Sequence, residues 1–327
     1  MGIDEGWPAG LTARPIGKDD AVAWAELLAA KEKVDAEGEN YDADDLIEEL
    51  ADPSLDAARD TIGLWSGEQM IGYGVVRAPD EVVDVHRVRT EGTVHPQWRG
   101  RGIGSALVPW LNRRAAELHH ERQPGAQGEI NTGTIDTNTS AKELLADLGF
   151  EKCRYFFSME RDLGKPVEVP ALPAGVRLVP FTPAYDEPLR LAHNEVFLDH
   201  WGSTPKSPDS WKTWYTGSRA FRPALAYLVL DGDEVVAYTL GYEYVADTAA
   251  TGIREVYIGQ VGTKRSHRGQ GLAALALAKV MAEAAAAGFQ RASLGVDADN
   301  PTGALGLYER LGYTTKNTWI TYRLPLD

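Results

Sequence analysis

The sequence predicts an α/β (α+β) fold class, with two tandem domains of one architecture. Two observations support this prediction. Three landmarks occur twice, in the same order, along the 327 residues, and a segment rich in proline and glycine separates the copies. Repetition of several landmarks in one order indicates a duplicated structural unit. The length also fits two domains of ordinary size.

The first landmark in each half is a pair of β-rich runs joined by a short polar turn. Thr61–Ala78 reads TIGLWSGEQMIGYGVVRA, and Ala224–Glu243 reads ALAYLVLDGDEVVAYTLGYE. A glycine-containing turn between two such runs is typical of a β-hairpin. We therefore expect one hairpin in each half.

The second landmark is a glycine loop that follows a β-rich run and opens a helix. The loops read RGRGIGSA from Arg99 and RGQGLA from Arg268. Glycines let backbone N–H groups converge on a ligand, and the start of a helix favours a negative charge. The dinucleotide fingerprint belongs instead to a βαβ unit with an acidic residue about 20 positions further on. Because hairpins precede both loops, we interpret them as cradles for another phosphate group.

Helices are expected directly after both loops. Gly271–Ala287 is rich in strong helix formers and stops at Gly288. The helix of the first half contains Pro109, so we expect it to bend or to start late. The third landmark follows each helix as LLADLGF at 144–150 and LYERLGY at 307–313.

The segment DLGKPVEVPALPAG at 162–175 lies between the copies. Proline fixes φ and removes a backbone donor, so this composition predicts an extended linker. We expect a first domain over 1–164, a linker over 165–175 and a second domain over 176–327.

Composition limits the classes of function. The net charge of −15 argues against general nucleic-acid binding and favours a cationic partner such as a protonated amine. The sequence contains no run of 18 or more apolar residues, so we expect no membrane span. The first residues lack the pattern of a signal peptide. A single cysteine, Cys153, fits a reducing compartment. We therefore expect a cytoplasmic protein, as a monomer or homodimer.

The pattern R-x-x-G-x-G from Arg99 and R-x-x-G-x-A from Arg268 resembles the signature of the GCN5-related N-acetyltransferase (GNAT) superfamily. The resemblance covers both halves and implies two mixed, strongly bent sheets flanked by helices. It implies acetyl-CoA as cosubstrate, held where two neighbouring strands splay apart, and no metal. The residues that it assigns to acetyl-CoA are Val261, Gly262, Thr263, Arg268, Gly269, Gln270, Gly271, Leu272, Ala273 and Asn300 in the second half, and Arg99, Gly100, Arg101, Gly102, Ile103 and Gly104 in the first.

Acetyl transfer to an amine needs a base for the ammonium, a donor to the oxyanion and an acid for the leaving thiolate. Tyr308 stands four residues before Gly312, where the family places the tyrosine that contacts the CoA sulfur. Glu255 opens the strand EVYIGQVGTK, where related enzymes carry a carboxylate base. The resemblance thus implies that Glu255 and Tyr308 are catalytic.

The first half lacks this pair of residues. Leu145 stands four residues before Gly149 and has no proton to donate, and His86 lies 13 residues before Arg99, as Glu255 does before Arg268. The replacement of Glu255 by histidine is inconclusive, because a histidine can also act as a base. We expect a first domain that does not catalyse the reaction, whether or not it binds CoA.

The tandem layout is similar to the mycothiol synthase-like actinobacterial acetyltransferases, one of which acetylates a cysteinyl amine. The segment from Asn194 to Trp211 departs from the pattern of the enzyme that acetylates a cysteinyl amine, and it resembles the FxDHWG variant of tandem acetyltransferases of unassigned substrate. Asp199, His200 and Trp201 are candidate contacts to the acceptor; the alternative is that His200 ends a helix and Trp201 packs in the core. We therefore expect an N-acetyltransferase acting on a small primary amine. The alternatives are acetylation of a cysteinyl amine, acetylation of protein amines, and a CoA-binding sensor or scaffold without turnover. The histidines show no spacing typical of metal ligands.

Overall fold

The computed structural model describes residues 6–300 and 303–326, with Asp199 described by its backbone alone. The chain forms two compact units. Unit 1 contains residues 1–155 and 319–327, and unit 2 contains residues 156–318.

The strands are β1 (Thr12–Arg14), β2 (Thr61–Ser66), β3 (Gln69–Arg77), β4 (His86–Val94), β5 (Gly128–Ile135), β6 (Glu151–Asp162), β7 (Val176–Pro180), β8 (Phe221–Asp231), β9 (Glu234–Tyr242), β10 (Glu255–Thr263), β11 (Arg291–Asp297) and β12 (Thr314–Leu326). The helices are α1 (Ala21–Asp35), α2 (Ala43–Leu50), α3 (Ala57–Asp60), α4 (Ile103–Arg122), α5 (Thr139–Asp147), α6 (Asp186–Val196), α7 (Pro208–Trp211), α8 (Val245–Thr251), α9 (Leu272–Ala286) and α10 (Ala304–Arg310). Short 3-10 turns and one π-helical turn occupy Lys18–Asp20, Pro96–Trp98, Pro183–Tyr185, Phe197–Asp199, Lys212–Thr216 and Arg265–His267.

Unit 1 is a mixed sheet with strand order β1-β2-β3-β4-β5-β12. Strands β4 and β5 pair in parallel, and the other described neighbours pair antiparallel. Helices cover both faces. One core gathers α4 and α5 side chains, and the other gathers those of α1 and α2.

Unit 2 repeats this architecture with strand order β6-β11-β10-β9-β8-β7. Here β10 and β11 form the parallel pair. Helices α9 and α10 pack on one core face, and α6 and α7 pack on the other. The two mixed sheets confirm the predicted fold class and the duplication.

Each unit contains one strand from the other half of the chain. Strand β12, at the end of the second half, joins unit 1, and β6, at the end of the first half, joins unit 2. In unit 1, Trp319–Leu326 of β12 pairs with the whole of β5. In unit 2, Phe156–Asp162 of β6 pairs with the whole of β11. The unit boundaries therefore fall at 155/156 and 318/319, whereas the sequence alone suggested one division around 165–175. Residues 166–173 carry no helix or strand.

The two predicted hairpins are confirmed as β2–β3 and β8–β9. Each is closed by two residues that begin with glycine, Gly67 with φ of 61° and Gly232 with φ of 58°. The second turn residues, Glu68 and Asp233, do not have a positive φ. A positive φ at the first position alone belongs to the type II′ turn, which matches the twist of the flanking strands.

Both long helices begin directly after their glycine loops. Helix α9 ends at Ala286, before Gly288 with φ of 84°. Helix α4 begins directly after Gly102 and continues through Pro109, so of the two expectations the late start is wrong and the bend stays a prediction. Leu107 and Leu111, on the turns around this proline, are buried, and their burial offsets the lost backbone hydrogen bond.

No helix in the described part of the chain is both long and apolar enough to cross a membrane.

Candidate active site

The cleft of unit 2 opens where β10 and β11 stop pairing. Glu255–Ile258 lies opposite Arg291–Leu294, and beyond this point the described pairing of β10 is with β9 alone. The edge of β10 that faces β11 therefore offers backbone groups to a ligand along Val261, Gly262 and Thr263. An extended ligand with amide groups, such as the pantetheine arm of acetyl-CoA, fits such an edge.

The glycine loop leads from this edge to the start of α9. Gly269 and Gly271 have φ of 78° and 77°, and Gly271 is the N-cap of the helix. Arg268, Gly269, Gln270 and Gly271 are exposed, whereas Leu272 is buried and Ala273 half-buried. The exposed amide groups and the helix N-terminus together fit a pyrophosphate.

The loop of unit 1 has the same backbone. Gly100 and Gly102 have φ of 75° and 78°, and α4 starts at the buried Ile103. A side chain at Gly104 would meet Leu144 Cδ2 at 3.0 Å, so this glycine allows close helix packing. In unit 2 that position is Ala273.

The arginines that open the two loops have different surroundings. The two Nη atoms of Arg99 donate to the two carboxylate oxygens of Asp35, both at 2.7 Å, which ties the loop to the end of α1. Arg268 Nε donates to the Thr263 carbonyl at 3.3 Å, and this side chain is exposed. In unit 1, Arg101 Nη2 donates to the Gln97 carbonyl at 3.1 Å. The guanidinium of Arg99 is thus engaged within the protein.

Glu255 stands at the start of β10, on the face opposite the buried Val256. Its two carboxylate oxygens accept hydrogen bonds from Arg291 Nε and Ser293 Oγ on β11. The side chain is 14% exposed. The structure therefore holds a fixed carboxylate on the wall of the cleft.

Tyr308 lies on α10 and packs into the core beneath the same two strands. Burial, and secondly the nearby Tyr257, raises its pKa to about 12. Its hydroxyl is therefore protonated at neutral pH and can act as a hydrogen-bond donor. Leu145, at the corresponding position of α5, is a buried core residue.

The residue in unit 1 that corresponds to Glu255 is Arg87, and the assignment to His86 by counting is wrong by one position. β10 has a bulge between Ile258 and Gln260, whereas β4 pairs with β3 without a shift. When the strands are matched by their pairing, the buried Val256 corresponds to the buried Val88. His86 is instead a buried structural residue, with Nδ1 2.7 Å from His119 Nδ1 and a pKa lowered by burial.

The ion pair at this position is reversed between the units. In unit 1, Arg87 Nε donates to Glu129 Oε1 at 3.0 Å, and β4 pairs with β5 at these residues. In unit 2, Glu255 accepts from Arg291 at the matching residues of β10 and β11. Unit 1 therefore has no carboxylate at the position of Glu255 and no tyrosine hydroxyl at the position of Tyr308.

Two of the predicted acceptor and cofactor residues lie together. Asn300 Nδ2 is 3.2 Å from His200 Nε2, although they are 100 positions apart in the sequence. The His200 ring stacks on Phe197, and the Trp201 ring lies 6.3 Å from that of Phe156. Asp199 ends a 3-10 turn, and its side chain lies outside the described part of the structure.

The helical face above β9 is aromatic in unit 2. The His193 ring contacts the rings of Phe197, Trp211 and Tyr215, and its Nδ1 is 2.8 Å from the Tyr238 hydroxyl. Burial lowers the pKa of His193 to about 3, so the imidazole is neutral.

The corresponding face of unit 1 carries charges instead. Arg77 contacts Glu49 at 2.7 Å and Glu91 at 3.8 Å, and the Tyr73 hydroxyl donates to Glu91 at 2.6 Å. Burial, and secondly Glu91, raises the pKa of Glu49 to about 7. The two units thus share a backbone but present different chemistry above the cleft.

Sequence reasoning missed Arg291, Ser293 and Asp35. None of them belongs to a short motif, and their partners lie 36, 38 and 64 positions away. Arg291 and Ser293 alternate on β11 with buried residues, a pattern that marks one face of a strand but does not identify its partner. Among the described residues, no group of three or more His, Cys, Asp or Glu side chains is arranged to hold a metal ion.

Comparison with known proteins agrees with this architecture. A model described as the acetyltransferase (GNAT) family matches residues 189–313, and one described as an acetyltransferase (GNAT) domain matches residues 58–152. A mycothiol acetyltransferase of Streptomyces scabiei is 34% identical over 263 residues, covering 79% of this chain and 77% of that protein. One of Thermobispora bispora is 30% identical over 267 residues, covering 80% and 82%.

Solved structures resemble the whole chain. A GCN5-related N-acetyltransferase from Sphaerobacter thermophilus superposes with a TM-score of 0.76 and 26% identity, covering 98% of this chain and 97% of that one. A tandem GNAT protein from the clavulanic acid biosynthesis pathway, at 19% identity, has a TM-score of 0.72 and covers 96% and 98%, which shows the shared fold.

Two sheets with a splayed parallel pair and a glycine loop, each matched by a GNAT domain, define an N-acetyltransferase with acetyl-CoA as its cosubstrate. The chain belongs to the GNAT family of acetyltransferases and contains two of its domains in tandem.

Proposed function

We propose that unit 2 transfers the acetyl group of acetyl-CoA directly to the primary amine of a small molecule, and that unit 1 does not catalyse this reaction. The observation that carries the proposal is the difference at two matched positions. Unit 2 has Glu255 and Tyr308, where unit 1 has Arg87 and Leu145. Neither replacement can take over the corresponding proton transfer.

The acetyl donor supplies an activated thioester carbonyl. Glu255 accepts the proton of the ammonium, which leaves an amine lone pair to form the new N–C bond. Backbone N–H groups at the open edge of β10, along Val261–Thr263, donate to the oxyanion. Tyr308 donates its proton to the sulfur as the C–S bond breaks. The nitrogen loses its second proton as the C–S bond breaks, which restores the Tyr308 hydroxyl, and Glu255 releases its proton to solvent. The products are an amide and CoA as its thiol.

The glycine loops are proposed to hold the pyrophosphate. In unit 2 this role falls to Gly269–Gly271 and to the first residues of α9, Leu272 and Ala273, with Arg268 beside them. In unit 1 the loop from Arg99 to Gly104 has the same backbone, but Asp35 holds its arginine. We therefore place the reacting cosubstrate in unit 2.

The acceptor is proposed to enter beside His200, Trp201 and Asn300. Its cationic amine suits the Glu255 carboxylate and the net charge of −15. A cysteinyl amine is the second candidate. It is favoured by the two mycothiol acetyltransferases at 34% and 30% identity.

The experiment is an amine panel assayed by loss of thioester absorbance, so that an acceptor thiol does not interfere. Cysteinamide, glucosamine and putrescine represent a cysteinyl amine, an amino sugar and an alkyl diamine. We expect thioester loss with at least one of them, and an amide product by mass spectrometry. Tight binding of acetyl-CoA without turnover for every amine would contradict the proposal.

The catalytic assignments have their own test. Glu255→Gln and Tyr308→Phe are each expected to lower kcat by about 10²-fold or more, with little change in acetyl-CoA affinity. Leu145→Ala serves as the matched control in unit 1, and the enzyme with this substitution is expected to keep the wild-type rate of the chemical step. Wild-type rates in both unit 2 variants would contradict the assignment.

A further inference from the structure

The ion pair between Glu255 and Arg291 lies at the root of the cleft. Glu255 and Arg291 are paired residues of β10 and β11, three positions before the parallel ladder ends. Arg291 Nη1 also approaches Glu160 Oε2 on β6 at 3.4 Å, and Lys316 Nζ lies 3.5 Å from the same oxygen. The guanidinium is therefore held from two sides while it contacts the proposed base.

Unit 1 builds the same arrangement with the charges exchanged. Arg87 occupies the position of Glu255, and Glu129 that of Arg291. A third, polar residue donates to the glutamate in each unit. Asn131 Nδ2 donates to Glu129 Oε1 at 3.2 Å, and Ser293 Oγ donates to Glu255 Oε1. The same fold thus accepts the acidic residue on either strand of the parallel pair. An ion pair that only joined the two strands would work in both orders, so it does not explain why the carboxylate of unit 2 lies on β10.

We propose that Arg291, with Ser293, is a positioning residue for the Glu255 carboxylate, and that the polarity of this pair determines which unit accepts an ammonium group. This inference rests on the proposed function of unit 2. Each oxygen of Glu255 is held by one donor, which fixes the plane of the carboxylate and leaves each oxygen a further lone pair for the ammonium. Held in this way, the base needs no rearrangement when the amine arrives.

Single variants separate positioning from folding. Arg291→Gln is expected to lower kcat about 10- to 100-fold with a small change in KM for acetyl-CoA, because the carboxylate loses its fixed orientation. Arg291→Lys keeps the charge without the planar guanidinium and is expected to recover part of this loss. Both are measured with acetyl-CoA and the amine of the panel that reacts fastest, and circular dichroism and the melting temperature monitor the fold. Wild-type kcat in a folded Arg291→Gln variant would overturn the inference.

A charge exchange tests polarity directly. The double variant Glu255→Arg/Arg291→Glu gives unit 2 the order that unit 1 already has, so we expect a folded protein without measurable turnover. The matched control, Arg87→Glu/Glu129→Arg, makes the reverse exchange in unit 1 and is expected to retain wild-type kcat. Turnover in the exchanged unit 2 variant would overturn the inference. Should the exchanged variant fail to fold, the folded Arg291→Gln and Arg291→Lys variants decide alone.

The two proposals fail in different ways. If Glu255→Gln keeps wild-type turnover, the proposed base is wrong and the proposed function fails with it. If Glu255→Gln loses turnover while Arg291→Gln and Ser293→Ala keep it, the proposed function stands and the positioning role is wrong.

Discussion

At the scale of single residues, the two halves differ where the chemistry requires it. Glu255 and Tyr308 in unit 2 correspond to Arg87 and Leu145 in unit 1, whereas the glycines of the loops are present in both. The backbone of an acetyltransferase domain is thus retained in a unit that lacks the two proposed proton-transfer groups.

Tyr313 offers a test of stability within unit 2. It is 2% exposed, and its hydroxyl has no hydrogen-bond partner in the described structure. A buried unsatisfied hydroxyl costs free energy, so Tyr313→Phe is expected to raise the free energy of unfolding by about 1 kcal/mol. Urea denaturation measures the change. The corresponding residue of unit 1 is the buried Phe150, and a loss of stability on substitution would contradict this reading.

His193 predicts a pH dependence of stability. Its pKa is about 3 in the folded protein because it is buried, against an ordinary value of 6.5. The unfolded chain therefore binds a proton that the folded protein does not as the pH falls below 6.5. The contribution of His193 to the free energy of unfolding is expected to be constant above pH 6.5. Below pH 6.5 it is expected to fall by up to about 1.4 kcal/mol per pH unit.

The control for this prediction is His193→Gln, which removes the titrating ring. Urea denaturation between pH 7.5 and 4.5 is expected to give a shallower fall of stability for the variant than for the wild type. Equal slopes in the two proteins would contradict the assignment.

The sequence predicted residues within motifs and missed those outside them. Gly269, Gly271 and the strand from Glu255 follow from local patterns. Arg291 did not, because its role depends on which strand lies beside β10. The equivalence of His86 with Glu255 failed for a related reason, since a one-residue bulge is invisible to counting.

At the scale of elements, the loop before each long helix is the proposed binding site of the pyrophosphate. Gly271 and Gly102 adopt left-handed φ values of 77° and 78° at the N-caps of α9 and α4. A Cβ atom at either position would meet nothing within 4 Å, so the conformation, and not crowding, requires glycine.

These two glycines form a matched pair of variants. Alanine at either position is expected to cost about 1–2 kcal/mol of stability through its backbone conformation. Gly271→Ala is also expected to raise KM for acetyl-CoA, whereas Gly102→Ala is expected to leave it unchanged. Steady-state kinetics with acetyl-CoA as the varied substrate makes the comparison, and the opposite pattern would place the reacting cosubstrate in unit 1.

At the scale of the whole molecule, the sequence predicts the duplication but not the exchange of strands β6 and β12 between the two halves. The repeated landmarks predicted two similar architectures, and the structure confirms them. Strand pairing between distant segments leaves no local signal, so β6 and β12 could not be assigned to their sheets in advance. The two strands cross the unit boundaries at Tyr155 and Thr318.

The exchanged strands predict the behaviour of a cleaved chain. A protease site placed within residues 166–173, which lie outside helices and strands, allows a single cut. Each sheet contains strands from both fragments. The cleaved protein is therefore expected to elute as one species under native conditions and to separate only in denaturant. Uncleaved protein with the same insertion is the control, and two folded fragments that elute independently would contradict the strand assignment.

Unit 2 is proposed to perform the chemistry, and one comparison of variants tests this assignment most directly. Thioester loss is measured for Glu255→Gln and Arg87→Gln under saturating acetyl-CoA with the same reacting amine. We predict a loss of kcat of about 10²-fold or more for Glu255→Gln and wild-type kcat for Arg87→Gln. An inactive Arg87→Gln enzyme beside an active Glu255→Gln enzyme would contradict this assignment.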